Sequence, residues 1–414
     1  MLKQKRILID LIEYAIIILS VLISATMWSQ VEISIIRPDR VRIVLLVLIL
    51  VWVILCRFKF KTNQIGVLIF ICFCALMCVL THMSFAFGSI VTLVPVLFIC
   101  FWGLACDSVN RLDDVYKKFV NVLCIIAIIS LLFYTFAFIF RIISPTGYIS
   151  LKWSWRDKVP SYYNMFYDPM PNGLSFGSMI FPRNCGIYPE APMFMYPLVL
   201  ALLINKLALH NRKSKKNRLL VITILSTVSI TGYIVIVLLY SIEYDFLQSV
   251  KKHILLKLMI PLIMTMGLIV VYILFSEKLD TGSGAIRTDH VFASFKSFFE
   301  TNMLGCGIGN NDYVMDFMKY KQGISVGLPY LLATGGIFWG AIFIIPLIKC
   351  VIICKKTKEY EKIVFSLLFT LLLFMTACHS YMHTWLIFGT TVFIWSYSKQ
   401  DISNKQDDVA VNDS

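Results

Sequence analysis

Long apolar runs alternate with short basic clusters along almost the whole chain. The runs cover residues 9–28, 42–56, 65–82, 88–106, 119–143, 189–208, 219–241, 255–276, 326–348, 363–379 and 384–397. Most approach the roughly 20 residues a helix needs to cross the hydrocarbon of a bilayer. They are continuous rather than alternating, which argues for helices and against a β-barrel. The pattern predicts an all-α, polytopic integral membrane protein. Basic clusters then orient the spans, because Lys and Arg concentrate on the cytoplasmic side. Lys3, Lys5 and Arg6 start the chain inside, and the run that follows lacks a signal-peptide cleavage site, so it counts as the first span. Arg57, Lys59 and Lys61 return the chain inside after the second run, and Arg111, Lys117 and Lys118 after the fourth. Arg37, Arg40 and Arg42 fall on the outer side, against the rule.

The fifth run leaves loop 144–188 outside, and the sixth leads back to Arg212, Lys213, Lys215, Lys216 and Arg218, the strongest topology mark in the chain. From the other end, Lys349, Lys355, Lys356, Lys358 and Lys362 are inside, which puts loop 277–325 outside and Lys251, Lys252 and Lys257 inside. Run 219–241 therefore begins and ends on one face. At 1.5 Å per residue it reaches only about 35 Å, one crossing but not two. The conflict predicts a hairpin of two half-length helices, broken near Ser229-Ile-Thr-Gly232. Counting both halves gives about twelve membrane helices in a single domain, 1–399, with two long extracytoplasmic loops. The polar tail 400–414 is expected to be disordered in the cytoplasm.

Composition agrees. Hydrophobic residues make up 58% of the chain, charged residues 15%, and mean hydropathy is +0.79. A water-soluble domain is excluded. The net charge of +14 sits in the topology clusters, so nucleic acid is not the expected partner. Of the twelve cysteines, most lie inside apolar runs as small hydrophobes. Cys185 and Cys306 fall in the two polar loops, where a bridge between them has weak support.

The candidate chemistry lies in those loops. Arg183 stands in Phe181-Pro-Arg-Asn-Cys-Gly-Ile-Tyr-Pro-Glu190, and Arg287 in Ser283-Gly-Ala-Ile-Arg-Thr-Asp289. A guanidinium stays charged and donates two parallel hydrogen bonds, which suits a pyrophosphate. Two of them could hold one without a metal, and the chain has no acidic cluster suited to Mg²⁺. Arg287 opens an amphipathic pattern in which Ile286, Val291, Phe295, Phe298 and Phe299 recur at helical spacing, as in a helix lying along the outer interface. The run Gly305-Cys-Gly-Ile-Gly-Asn310 offers backbone N–H groups for an anion, through Gly305, Gly307, Gly309 and Asn310. Loop 144–188 is aromatic, and Trp153 and Trp155 are candidates for stacking on sugar rings or for an interfacial belt. Glu190 could act as a base or orient an arginine. Asp289, His290, His379 and His383 are the other outer-face proton acceptors, with His379 ranked first.

In order and spacing, these pieces resemble the O-antigen ligase and polymerase superfamily of bacterial surface polysaccharide assembly. They are Arg183-x-x-Gly186-x-x-x-Glu190, Ser229-x-Thr-Gly232, Ser283-Gly284 with Arg287, and Leu304-Gly-x-Gly-x-Gly-Asn310 leading to Leu331 and Gly336, over roughly 180–345. The resemblance implies a Wzy-type polymerase with its active site facing out of the bacterial cytoplasmic membrane. It implies transfer of glycan from undecaprenyl pyrophosphate to a lipid-linked repeat unit, with Arg183 and Arg287 on the pyrophosphate, and neither metal nor cofactor. A flippase and a chain-length regulator would be neighbouring proteins. Related ligases carry a His-Asn pair where this chain has Ser325-Val326, and Trp339 replaces a glycine of their Gly-x-x-Gly, which favours polymerase over ligase. The alternatives are such a ligase and a lipid-linked oligosaccharide transporter. Transport is disfavoured because the span centres are nearly free of charge.

Overall fold

The structure is a computed structural model describing residues 2–30, 36–59, 62–150, 158–169, 174–176, 179–242, 282–321, 323–377 and 381–397. The expected span 255–276, the tail 400–414, His379, Trp153 and Trp155 lie outside the described residues. What is described is a helical bundle. The apolar runs become α1 (Leu2–Leu22), the single turn α2 (Met27–Gln30), α3 (Pro38–Cys56), α4 (Thr62–Thr81), α5 (Ala86–Ser108) and α6 (Leu112–Phe133). They continue as α7 (Ala191–Leu203), α8 (Lys215–Ser226), α9 (Ile230–Ile242) and α10 (Gly282–Glu300). The chain closes with α11 (Asn311–Met315), α12 (Leu328–Thr357), α13 (Tyr360–Met375), α14 (Met382–Thr390) and α15 (Val392–Trp395). Among the described residues, five helical stretches are long and apolar enough to cross a membrane: Gln64–Thr81, Phe87–Ser108, Leu112–Ala137, Ala191–Ala208 and Leu328–Thr357. The protein is a multi-pass membrane protein.

α5 and α14 meet backbone to backbone, since a Cβ on Gly103 would stand 2.3 Å from the Gly389 carbonyl oxygen. Small residues let helices approach this closely where no water drives them together. One end of the bundle is basic and holds a buried ion network that the apolar pattern of the first run conceals. Glu13 is fully buried. It accepts from Arg111 Nε at 2.6 Å, from Trp52 Nε1 at 2.9 Å and from Lys118, while Asp10 takes Lys118 Nζ at 2.6 Å. Two carboxylates and two cations balance, which is what makes the burial tolerable.

The broken span is a hairpin. α8 starts beside the far end of α7, where Asn205 Nδ2 donates to Asn217 Oδ1 at 2.7 Å. α9 returns to that same end, with Lys206 Nζ 3.5 Å from the centre of the Tyr240 ring. The turn sits at 227–229, slightly earlier than the expected 229–232, because Val228 takes a left-handed φ of 48°. Gly232 follows the turn and permits close packing, since a Cβ there would lie 2.7 Å from Met195 Cγ.

The loop from 144 onward is not simply irregular. It carries a small antiparallel sheet of β1 (Gly147–Ile149), β2 (Val159–Tyr162) and β3 (Phe166–Tyr167), and a hairpin of β4 (Leu174–Phe176) and β5 (Met179–Phe181). Its aromatic residues divide. Tyr162, Phe166 and Tyr167 are buried and glue the loop to the bundle, while Tyr148 and Tyr163 remain exposed.

Candidate active site

The segment 182–190 is clamped from three sides at the end of the bundle opposite the basic network. Asn184 is the clamp. Its Oδ1 accepts from Ser130 Oγ of α6 at 2.6 Å and from the Gly186 N–H at 3.0 Å. Its Nδ2 donates to Ser226 Oγ at 2.9 Å, and its own N–H to the Ser226 carbonyl at 3.0 Å. Pro182 offers its carbonyl to Tyr134 Oη at 2.9 Å, and Ile187 offers its own to the Met27 N–H at 2.8 Å. Gly186 takes φ +55°, and a Cβ there would meet the Phe194 ring at 2.8 Å, so the turn requires glycine.

This clamp sets Arg183 on the hairpin tip, its Nε donating to the Thr227 carbonyl at 3.2 Å. Thr227 is the C-cap of α8. Arg287, on the first turns of α10, is held in the same manner. Its Nη1 donates at 3.2 Å to the carbonyl of Met375, the last residue of α13. Both guanidiniums thus rest on carbonyls that a helix C-terminus leaves without intrahelical partners, at the negative end of the helix dipole.

The two arginines and Glu190 share one site. Burial lowers the Arg183 pKa, and the Glu190 carboxylate opposes that shift. Burial also lowers the Arg287 pKa, with Glu190 opposing and the Arg183 charge adding to it. Burial raises the Glu190 pKa, against the pull of Arg183 and Arg287. Glu190 lies within electrostatic reach of both guanidiniums, and Arg287 of Arg183, so loops over one hundred residues apart meet at one end of the bundle. Glu190 caps α7 with extended backbone, and its side chain makes no capping hydrogen bond. Two cations face one carboxylate in a partly desolvated place, an arrangement suited to a multiply charged anion. Among the described residues, no three His, Cys, Asp or Glu side chains gather as a metal would need.

Most of the other candidates are engaged in local structure. The N–H groups of Cys306 and Gly307 donate at 2.9 Å to the carbonyls of Ala333 and Thr334, so these two are spent on α12. The glycine run is a docking strip. A Cβ on Gly305 would stand 2.5 Å from Gly336 N, and one on Gly336 would stand 2.1 Å from the Leu304 oxygen. Gly336 itself breaks α12 with φ 63° and ψ −161°. Asn310 serves the same loop, donating to the Cys306 carbonyl at 3.0 Å. Gly309, at φ +97°, has open space around it. Asp289 accepts from the Tyr320 N–H at 2.9 Å. His290 bridges Ser325 Oγ at 2.8 Å and the Tyr320 carbonyl at 2.9 Å, which ties the loop after α11 to α10. His383 is buried between Tyr196 and Tyr381, with ring centres 5.6 Å away, and among the described residues neither ring nitrogen has a hydrogen-bond partner. Cys185 and Cys306 are free thiols, in keeping with the weak sequence support for a bridge between them.

Sequence reasoning missed Asn184, Thr227 and Met375. Asn184 sits in the motif beside Arg183 and was legible as a polar residue in a tight turn. The two carbonyls carry no sequence signal. No family model matches this chain, and no curated protein matches it.

Proposed function

We propose that the chain is a membrane glycosyltransferase that polymerises repeat units of a bacterial surface polysaccharide from lipid-pyrophosphate-linked donors. The observation that carries this reading is the convergence of Arg183, Arg287 and Glu190 at one end of the bundle. By the positive-inside rule the basic end is cytoplasmic, so the site opens to the outside of the cytoplasmic membrane. Counting the span expected at 255–276 and both halves of the hairpin, the protein has about twelve membrane helices.

In the reaction, the two guanidiniums hold the donor pyrophosphate by bidentate hydrogen bonds. The acceptor sugar hydroxyl of a second lipid-linked repeat attacks the anomeric carbon. The new C–O glycosidic bond forms as the bond to the pyrophosphate oxygen breaks. Charge grows on the departing undecaprenyl pyrophosphate, and fixed cations at that position stabilise it more in the transition state than in the ground state. Glu190, whose pKa burial raises, is placed to take the hydroxyl proton. The exposed Tyr148 and Tyr163 offer ring faces to sugars. The partners are the lipid-linked oligosaccharide, the bilayer, a flippase that supplies the donor and a chain-length regulator.

The test is glycan length on a gel from a strain lacking the chain, compared with the same strain carrying it. Single repeats without the chain and a ladder with it support polymerisation. Loss of all attached glycan would instead mean a ligase, and an unaltered ladder would remove the transferase reading.

A further inference from the structure

Helix α10 has its amphipathicity inside out. It buries His290, Ala293, Ser294 and Ser297 against α12 and the loop that precedes it. It exposes Phe292 at 70% and Phe299 at 58%, and just beyond its end Met303 at 45% and Leu304 at 42%. A helix covering a water-soluble domain does the reverse, hiding phenylalanine and showing serine. The set expected from sequence periodicity is therefore split. Val291, Phe295 and Phe298 are partly covered, and the outward face is carried by Phe292 and Phe299.

The height of this face follows from its two anchors. Past the break at Gly336, the stretch 337–357 of α12 rises about 31 Å at 1.5 Å per residue, which matches the hydrocarbon thickness. Ile337, 52% exposed, thus marks the membrane boundary at the site end. Its N–H donates to the Met303 carbonyl at 2.8 Å and pins the C-terminal end of α10 there. The other anchor is Arg287 on Met375, at the end of α13, which rises about 24 Å from the same basic side. The anchors thus differ in height by about 7 Å, while the helix from Arg287 to its end at Glu300 is about 20 Å long. Helix α10 lies nearer the membrane plane than its normal. Its apolar face also continues into a neighbouring exposed patch, Met83 and Phe87, where Gly307 seats against the Phe85 ring.

We propose that the Phe292–Phe299 face of α10 is sunk into the acyl chains of the membrane leaflet at the site end. Its partner is bilayer lipid. The helix is an interfacial outrigger that fixes Arg287 at the depth of lipid phosphates, and Lys296, between the two phenylalanines, turns its ammonium to the Phe317 ring, 5.2 Å from the ring centre. This placement of α10 depends on the multi-pass fold and not on transferase activity, so either can fail alone.

The test places a nitroxide label at Phe292→Cys or Phe299→Cys in the full chain carrying Cys72→Ser, reconstituted in phosphatidylethanolamine and phosphatidylglycerol vesicles. Ile337→Cys is the lipid reference. Asp316→Cys is the water reference, since the Asp316 side chain is 73% exposed on the loop after α11. The readout is the ratio of collisions with oxygen to collisions with a water-soluble nickel chelate. Ratios at 292 and 299 near the Ile337 value, about fivefold or more above that at 316, are expected for a face in acyl chains. Ratios at the Asp316 value would overturn the proposal. Met303→Cys supplies an independent position should a label at 292 or 299 reduce the folded yield, and the same two outcomes apply to it.

Discussion

Replacing Asn184 by alanine tests whether the clamp around Arg183 is the element that builds the site. Asn184 is fully buried and makes three side-chain hydrogen bonds, to Ser130, Gly186 and Ser226. A net hydrogen bond is worth about 0.5–1.5 kcal/mol, and stranding a buried partner costs about 1–3 kcal/mol. Ser226 Oγ also donates to the Thr223 carbonyl at 2.7 Å, so that hydroxyl keeps one partner after the change. Ser130 Oγ and the Gly186 N–H lose the acceptor described for them. The sum for Asn184→Ala is about 2–4 kcal/mol of destabilisation. Because the same residue fixes the hairpin tip under Arg183, glycan transfer should fall further than stability alone accounts for. The assay is detergent unfolding of purified protein alongside polymer length at matched membrane expression. An unfolding midpoint equal to wild type would refute the clamp, and a lowered midpoint with a full ladder would refute its link to the site.

Three further outcomes follow from particular geometries. Gly336→Ala forces a Cβ to 2.1 Å from the Leu304 oxygen at a positive φ, so it should cost at least about 1–3 kcal/mol and expose the 303–310 strip to protease; an unchanged digest would contradict the docking. His383→Leu removes a buried imidazole whose ring nitrogens have no partner among the described residues, so the melting midpoint should rise, by the equivalent of about 1 kcal/mol; a fall would show that the imidazole is satisfied in the membrane. Glu190 has a folded pKa raised by burial, so its ionisation is harder in the folded than in the unfolded chain. Its contribution is most favourable below the ordinary carboxyl value of about 4.3 and declines as pH rises through the raised value. The stability of wild type relative to Glu190→Gln should therefore decrease from acidic to neutral pH, and an increase would reverse the assigned direction.

Five spans were legible because hydrocarbon thickness leaves a length signature in the chain, and the α8–α9 hairpin because charge and length conflicted there. Its turn was misplaced slightly because hydropathy is blind to the left-handed residue Val228. The pairing of Arg183 with Arg287 was legible from topology. The glycine strip was misread in part, since a string of glycines looks the same whether backbone N–H groups face an anion or another backbone. Gly305 and Gly336 serve the second purpose. Glu13 and Asp10 stood near the start of an apparently plain span, and only the approach of Arg111 and Lys118 from elsewhere shows why they are tolerated. Likewise, the carbonyls of Thr227 and Met375 that carry the arginines belong to helix ends, which no side chain announces.

In the proposed reaction Arg183 and Arg287 grip one pyrophosphate together. The most direct measurement is binding of undecaprenyl pyrophosphate to purified wild type, Arg183→Ala, Arg287→Ala and the double variant, with folded yield checked for each. Each single change should weaken binding at least about tenfold, or about 1.4 kcal/mol, and the double variant should depart clearly from the sum of the two. Wild-type affinity in both single variants, or two strictly additive losses, would contradict a shared site.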